Sequence, residues 1–500
     1  MMELLNHDLS IPLHYQVMVI LKERIENGVY PVGSKIPNEM ELCSEFAVSR
    51  PTIRRAVEEL VDMNLLEKKH PQGTFVRKPD IQNNIAAQPN MSFSRESPEG
   101  LTVSLASPLM DFYLFQAVDE FEHKRGCKIF VMPQGPWQES LYHVVNALIE
   151  NQVPDVFLVS NVAIASFAKM GVILPFDSLL EKKQLEDLKN RERNSEYCQY
   201  IYNDMLYGYP FFSETRLMYY RKDHFDESRL PYPDSDWTHD DFLELCKRLT
   251  LPRKARWAYA YPTSSDGDTL NTIMPLIMQN GGEICGKANG KVQIMTNQPA
   301  FAESFRWLCD LVLQHRIAPP IEAGGDYSKL CTMFLEGSLS MIIGLPSFSI
   351  ILRDRLADSW GVVKLPKGRV HGKSFRGRIP FCISAKCKNP RLAMSFIQHL
   401  TDMDILFPYT RRVGVFPPVE LYEKDVIIQN TQPELGIFVD AMFDSTGWDK
   451  YLNGQSMEMD SWQMPIQHTL RRVLQKKISY ETALEYIYLA LRDTLKRTAN

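Results

Sequence analysis

Ala47-Val48-Ser49-Arg50-Pro51-Thr52-Ile53-Arg54-Arg55-Ala56-Val57-Glu58-Glu59-Leu60 decides the reading of the N-terminal part of this chain. Ser49 is a natural N-cap, and Pro51 falls in the first turn, where a missing N–H costs nothing. Ile53, Ala56, Val57, Leu60 and Val61 recur at helical spacing, which predicts one buried stripe. Arg50, Arg54 and Arg55 lie off that stripe, with Thr52 beside them. A helix that seats its back in a core and presents guanidinium groups near its start suits a DNA major groove. There arginine pairs bidentately with guanine O6 and N7, or with a phosphate. Ser49, Arg50, Thr52, Arg54 and Arg55 are therefore candidate DNA contacts.

The flanking sequence agrees. Leu13, Val17, Ile20, Leu21 and Ile25 predict an amphipathic first helix, stopped by Asn27-Gly28 and Tyr30-Pro31. Asn38 followed by Glu41 predicts a capping box opening a short second helix that buries Leu42 and Phe46. Leu65 to Lys69 and Gly73 to Arg77 read as two strands, with His70-Pro71-Gln72 as the turn between them. Residues 1–77 are thus expected to form a winged helix-turn-helix of α+β class.

Pro12-Leu13-His14-Tyr15-Gln16, Ile25-Glu26-Asn27-Gly28, Ile36-Pro37-Asn38-Glu39, Val48 to Arg54 and Gly73-Thr74-Phe75-Val76 together resemble the GntR family of bacterial transcription regulators. That resemblance implies that Arg50, Thr52 and Arg54 contact DNA from the recognition helix and His70 from the wing tip. Three positions depart from the family pattern: Met40 stands where an arginine is common, and Ala47 and Pro71 where glycines are. Residues 1–80 hold ten Lys/Arg and twelve Asp/Glu, so affinity for DNA would rest on local placement and not on a global field.

The whole chain has 500 residues, 44% hydrophobic and 23% charged, with a net charge of −5, values that suit an ordinary globular protein and favour neither a membrane surface nor bulk nucleic acid. The start, Met1 to Asp8, has no basic region and no long apolar run, so a signal peptide is not expected and a cytoplasmic location is. Nine cysteines occur singly, without a Cys-x-x-Cys pair, as suits reduced thiols. The eleven histidines show no ligand-like spacing; neither a metal nor a cofactor is expected.

Residues 78–100 are rich in Pro, Asn, Gln and Ser and read as a linker. From Leu101 onward strand-like and helix-like runs alternate. Leu101–Leu105, Lys128–Val131 and Pro154–Val159 are strands; Phe112–Lys124 and Leu141–Asn151 are helices between them, a β-α-β-α-β order. Val153-Pro154-Asp155-Val156, Leu206 to Phe211, Met218 to Asp223, Trp237 to Phe242, Asn280-Gly281-Gly282-Glu283, Phe334 to Gly337 and Gly414 to Pro418 resemble, in that order, the extracellular solute-binding proteins of sugar ABC importers.

The resemblance implies a two-lobed α/β periplasmic-binding-protein-like (type II) domain over residues 101–500. Its chain would cross between lobes near Phe211–Glu214, Ile379–Ser384 and Val413–Pro417, with lobe one at about 101–211 plus 384–413 and lobe two at 214–380 plus 415–500. Glu214 matches an acidic ligand contact of the maltose-binding relatives, and Ser160 and Asn161 match a sugar-contacting loop. Trp137, Phe211, Phe348 and Trp462 are candidate rings for stacking on sugar C–H faces, although aromatic residues in such folds more often pack the core.

These features favour a ligand-responsive, homodimeric regulator whose winged helix binds operator DNA and whose second domain senses a mono- or oligosaccharide. Two alternatives are a GntR-headed, pyridoxal-phosphate-dependent aminotransferase-like regulator and a solute-binding component of transport. No lysine motif suggests the first, and the lack of a signal peptide weighs against the second. The chain is not expected to be an enzyme.

Overall fold

A computed structural model describes residues 13–26, 29–62, 65–69, 72–77, 100–105, 112–133, 147, 153–159, 163–194, 200–263, 268–288, 291–319, 325–445 and 459–498. The predicted helix Leu141–Asn151 lies almost wholly outside them.

The N-terminal elements are α1 (Leu13–Glu26), α2 (Glu39–Phe46), α3 (Arg50–Asp62), β1 (Leu66–Lys69) and β2 (Gly73–Val76). Each boundary follows from local chemistry. The Asn38 side chain accepts from the N–H groups of Met40 and Glu41, while the Glu41 carboxylate takes the Asn38 N–H at 2.7 Å, closing the predicted capping box. Helix α2 ends at Ala47, which adopts the left-handed conformation at φ 54° and ψ 38°. The carbonyl of Ser49 accepts from the N–H groups of Thr52 at 3.0 Å and Ile53 at 3.2 Å, opening α3. Its hydroxyl pairs with that of Thr52 at 2.8 Å.

Ile53, Ala56, Val57 and Leu60 of α3 pack with Val17, Met18 and Leu21 of α1 and with Leu42 and Phe46 of α2 in one small core. Strands β1 and β2 form an antiparallel hairpin with Leu66 opposite Val76. Residues 33–36 run along its outer edge: Val76 N–H donates to Ser34 at 2.9 Å, and Ile36 N–H to Thr74 at 3.0 Å.

The larger part holds two main sheets, beside two short antiparallel ribbons, Ile201–Tyr202 with Met205–Leu206 and Cys285–Ala288 with Lys291–Ile294. The first contains β3 (Gly100–Leu105), β4 (Lys128–Pro133), β5 (Val156–Leu158), β6 (Tyr209–Thr215) and a long strand, Arg376–Ile383, in the order β4, β3, β5, Arg376–Ile383, β6. Strands β4, β3 and β5 are parallel, and Arg376–Ile383 runs antiparallel to both its neighbours. The Asp155 carboxylate pins β5 to β3 by accepting from the N–H and the hydroxyl of Thr102, both at 2.9 Å.

The second sheet contains β7 (Leu217–Arg221), β8 (Trp257–Tyr259), β9 (Leu339–Gly344) and β10 (Trp360–Val363), in the order β8, β9, β7, β10. Numbered in sequence, Arg376–Ile383 is β11. Every residue of β11 is buried, as expected of a strand covered on both faces, and its first half carries two arginines. Val103, Phe157, Phe211 and Phe381 belong to the first lobe's core. Met218, Ala258 and Met341 pack in the second, together with Trp462, Ile466, Ile487 and Leu491 from α-helices Met459–Leu474 and Tyr480–Thr498.

The second crossing lies earlier than the sequence suggested. Ile379, Phe381, Cys382 and Ile383 are all in the first core, and Arg376 already pairs with Thr215. The chain therefore changes lobes just before Arg376 and not at Ile379–Ser384. Two side-chain bonds tie that passage to the β6–β7 junction: Thr215 donates to the Phe375 carbonyl at 2.7 Å, and Ser374 to the Arg216 carbonyl at 2.8 Å. The third passage joins the same ribbon, with Ser213 N–H donating to the Phe416 carbonyl at 3.0 Å. Ser213 thus sits between Arg378 on one side and Phe416 on the other.

Candidate DNA-binding and ligand-binding sites

The stripe Ile53, Ala56, Val57 and Leu60 fixes how α3 rolls, so the opposite face is dictated by geometry. Ser49, Arg50, Arg54 and Arg55 are exposed and Thr52 is half-buried. The fold thus brings together all five candidates, Ser49 just before α3 and the other four on it; His70 lies outside the described residues.

One participant was not legible beforehand. Glu39, at the first position of α2, accepts from Arg50 Nε at 2.7 Å and from Arg54 Nε and Nη2 at 3.4 Å. The Arg50 hydrogen bond holds its carboxyl below the ordinary range. Next to it Met40 is 72% exposed, an apolar side chain on an otherwise charged face. Glu39 follows the capping residue and precedes an arginine-bearing helix, the only sequence signal available for its role.

In the two-lobed part, Glu214 lies near the end of β6, opposite Gly377 of β11 and one residue before the first crossing. It is half-buried. A Cβ at Gly377 would stand 2.7 Å from Glu214 Cγ, so the glycine leaves the space that the carboxylate occupies. The other expected ligand residues divide. Trp137, Ser160 and Asn161 lie outside the described residues. Phe211, Phe348 and Trp462 are 1%, 4% and 0% exposed. Phe211 sits 4.3 Å from Phe381 and stacks on Tyr409, and Phe348 meets Tyr219 edge-on at 5.5 Å. Packing accounts for all three rings and leaves no open face for a sugar.

Behind β11 is a buried charge cluster that the sequence did not disclose. Arg378 bonds Glu192 of helix Lys182–Asn194 and lies 2.8 Å from Glu420, with side-chain exposures of 1%, 2% and 7%. Its guanidinium also lies over the Tyr200 ring at 4.2 Å. Burial pushes the Glu192 carboxyl up, against the pull of Arg378. Glu420 follows the third crossing, so the cluster ties that passage to β11 and to the first lobe.

Among the described residues no group of three or more His, Cys, Asp or Glu side chains is placed to hold a metal ion, and no helix is long and apolar enough to cross a membrane. The eight described cysteines are free.

Comparison with known proteins assigns both parts. Residues 114–405 match the bacterial extracellular solute-binding protein family, and residues 13–76 match the gntR family of bacterial regulatory proteins. The first match covers more than half of the chain, which belongs to the solute-binding protein family and carries a GntR helix-turn-helix domain at its N-terminus.

Among solved structures, a solute-binding protein of Thermotoga lettingae bound with α-D-tagatose superposes with a TM-score of 0.66 at 17% identity, over 79% of this chain and 100% of that one. The Thermus thermophilus maltotriose-binding protein gives 0.64 at 18% identity, over 79% of this chain and 100% of that one. At such identities the likeness establishes the fold. The HTH-type transcriptional repressor NagR of Bacillus subtilis is 30% identical over 151 residues, 30% of this chain and 57% of that protein. The HTH-type transcriptional regulator GmuR of the same organism is 42% identical over 64 residues, 13% of this chain and 27% of that protein. The chain therefore spans little more than half the length of NagR and less of GmuR. The two families matched are described as solute-binding and as regulatory.

Proposed function

We propose that this protein is a ligand-responsive transcription regulator: its winged helix binds operator DNA, and its two-lobed domain binds a small solute, a saccharide, between the lobes. The observation that carries this reading is α3, whose apolar side is buried while Arg50, Arg54 and Arg55 face outward from the same chain that holds a solute-binding fold. Ser49, Arg50, Thr52, Arg54 and Arg55 contact the major groove, with His70 reaching from the wing. Residues 78–100 link this domain of residues 1–77 to the sensor, and the protein acts in the cytoplasm.

Glu214 is the principal ligand residue, since a half-buried carboxylate at a crossing can bridge sugar hydroxyls and respond to lobe closure. Trp137, Ser160 and Asn161 complete the site. Both structural relatives above are described with saccharides, which supports that ligand class. The protein works as a homodimer, because two-fold pairing lets two recognition helices read half-sites about one helical turn apart. A coupling of about 1–3 kcal/mol between saccharide and DNA would alter operator affinity roughly 5- to 150-fold.

The test is thermal unfolding of the full chain against a panel of mono- and oligosaccharides. A ligand at a hundredfold excess over its Kd stabilises the folded state by about 2.7 kcal/mol. A rise in Tm with one saccharide class, abolished in Glu214→Ala, is the expected result. An unchanged Tm across the panel would overturn the saccharide assignment. Absence of duplex binding by the full chain would overturn the regulator.

A further inference from the structure

Resting on the DNA-binding reading above, we infer that Glu39 is a positioning residue for sequence readout, holding Arg50 and Arg54 in place before DNA arrives and setting a charge against indiscriminate phosphate binding. Arg50 opens α3 and Arg54 lies one turn on, so both project from one face. Glu39, at the start of α2, meets both. A single carboxylate thereby spans the two helices of the helix-turn-helix.

The way each arginine is held differs. Arg50 is gripped through Nε, so its Nη1 and Nη2 have no hydrogen-bond partner among the described residues. Those two nitrogens form the end-on fork that matches guanine O6 and N7. Arg54 is held side-on through Nε and Nη2 at the longer distance of 3.4 Å, a weaker grip that still leaves the hydrogens at the end of its fork for a phosphate oxygen or a base. A free arginine pays rotamer entropy when it docks, whereas one already oriented loses less. Glu39 also repels any phosphate that approaches the pair, and that repulsion acts on every DNA sequence alike. Only a sequence that offers guanine at the correct place recovers the difference, so the carboxylate raises discrimination at the expense of raw affinity.

The experiment compares wild type, Glu39→Gln and Glu39→Asp as full chains. Each is titrated against the duplex that wild type selects from a random-sequence library and against a scrambled duplex of equal length and composition, over a range of salt concentrations. Glu39→Gln is expected to bind scrambled DNA about fivefold more tightly and to lose about fivefold or more in the selected-to-scrambled ratio, with a steeper salt dependence. Glu39→Asp, which keeps the charge, is expected to recover much of the ratio.

Glu45→Gln serves as a structural control. Glu45 lies on the same helix as Glu39 and pairs with Arg24 of α1 at 2.6 Å. It should lower the unfolding temperature without moving the ratio. Equal changes in both affinities for Glu39→Gln, or a ratio that falls as far in Glu45→Gln, would overturn the inference while leaving the DNA-binding reading intact. Failure of wild type to select any sequence would overturn that reading, and the inference with it.

Discussion

Glu214 on β6 and Gly377 on β11 face each other across two paired strands, and the absent side chain of the glycine is what gives the glutamate its place. A Cβ there would come within 2.7 Å of Cγ and 2.9 Å of Oε1. Gly377→Ala should therefore swing the Glu214 carboxylate aside. Because the clash is with a flexible side chain, the fold should survive at a cost of about 1–3 kcal/mol. Under the proposed saccharide site, ligand-induced stabilisation should nevertheless fall to the level expected of Glu214→Ala. Calorimetric titration of both variants checks this, and ligand affinity at the wild-type level in Gly377→Ala would refute it.

Ala47 is held at φ 54°, a conformation that glycine adopts without the Cβ penalty. Ala47→Gly should stabilise the winged helix by about 0.5–1 kcal/mol, the relief of strain exceeding the extra chain entropy of the unfolded state. Urea unfolding followed by a probe confined to residues 13–77 measures it. A lower midpoint would show that the turn is not strained.

Arg378 is the counter-charge to two buried carboxylates, Glu192 and Glu420. Arg378→Met should destabilise the first lobe by about 3–5 kcal/mol, because it strands charge in the interior. Adding Glu192→Gln and Glu420→Gln should restore most of the loss. Strong non-additivity among the three substitutions is the signature of one network, and simple additivity would count against it.

His224 supplies a pH dependence with a definite sign. Burial, reinforced by Arg256 and Arg221 and opposed by Asp223 and Glu227, pushes its imidazole down to about 4. One ring nitrogen, Nδ1, lies 2.9 Å from the Ser340 hydroxyl. At pH 7 the ring is neutral in both folded and unfolded chains. As pH falls below about 6.5 the unfolded chain takes up a proton that the folded one refuses, so stability drops down to about pH 4. Urea midpoints across that range should fall more steeply for wild type than for His224→Asn. Parallel curves would refute the assignment.

What the sequence disclosed and what it withheld follow from the range of the interactions. Asn38 with Glu41, and Ser49 before Arg50, act over a few residues, so helix starts and the buried stripe of α3 were readable in advance. The first sheet was readable through β3, α-helix Phe112–Arg125, β4 and β5, which follow one another along the chain. The crossing before Arg376 was not, because its partner Thr215 lies far away in the chain and the apolar run continues on both sides of the true junction. The aromatic candidates failed to separate for a related reason. Burial of Phe211, Phe348 and Trp462 is decided by Tyr409, Tyr219 and other residues from distant segments, whereas hydropathy ranks a core ring and a cleft ring alike. The charges of Glu192, Arg378 and Glu420 were visible, and Arg378 in an apolar strand was the one hint that a buried partner must exist.

Among the described residues the chain passes between its two lobes three times, at the β6–β7 junction, before Arg376 and near Phe416. An odd number of passages has a topological consequence: the two ends of the solute-binding domain lie in different lobes. Strand β3, which receives the connection from the winged helix, is embedded in the first core, and the final helices are embedded in the second. The chain that runs on from the DNA-binding domain is thus next described in the first lobe. Under the proposed closure, a hinge rotation that carries the second lobe inward would leave that junction still and would act on the DNA-binding domain through what the moving lobe touches. In a two-fold assembly the natural object is the neighbouring copy, which would make signal transmission a property of the pair and not of the single chain.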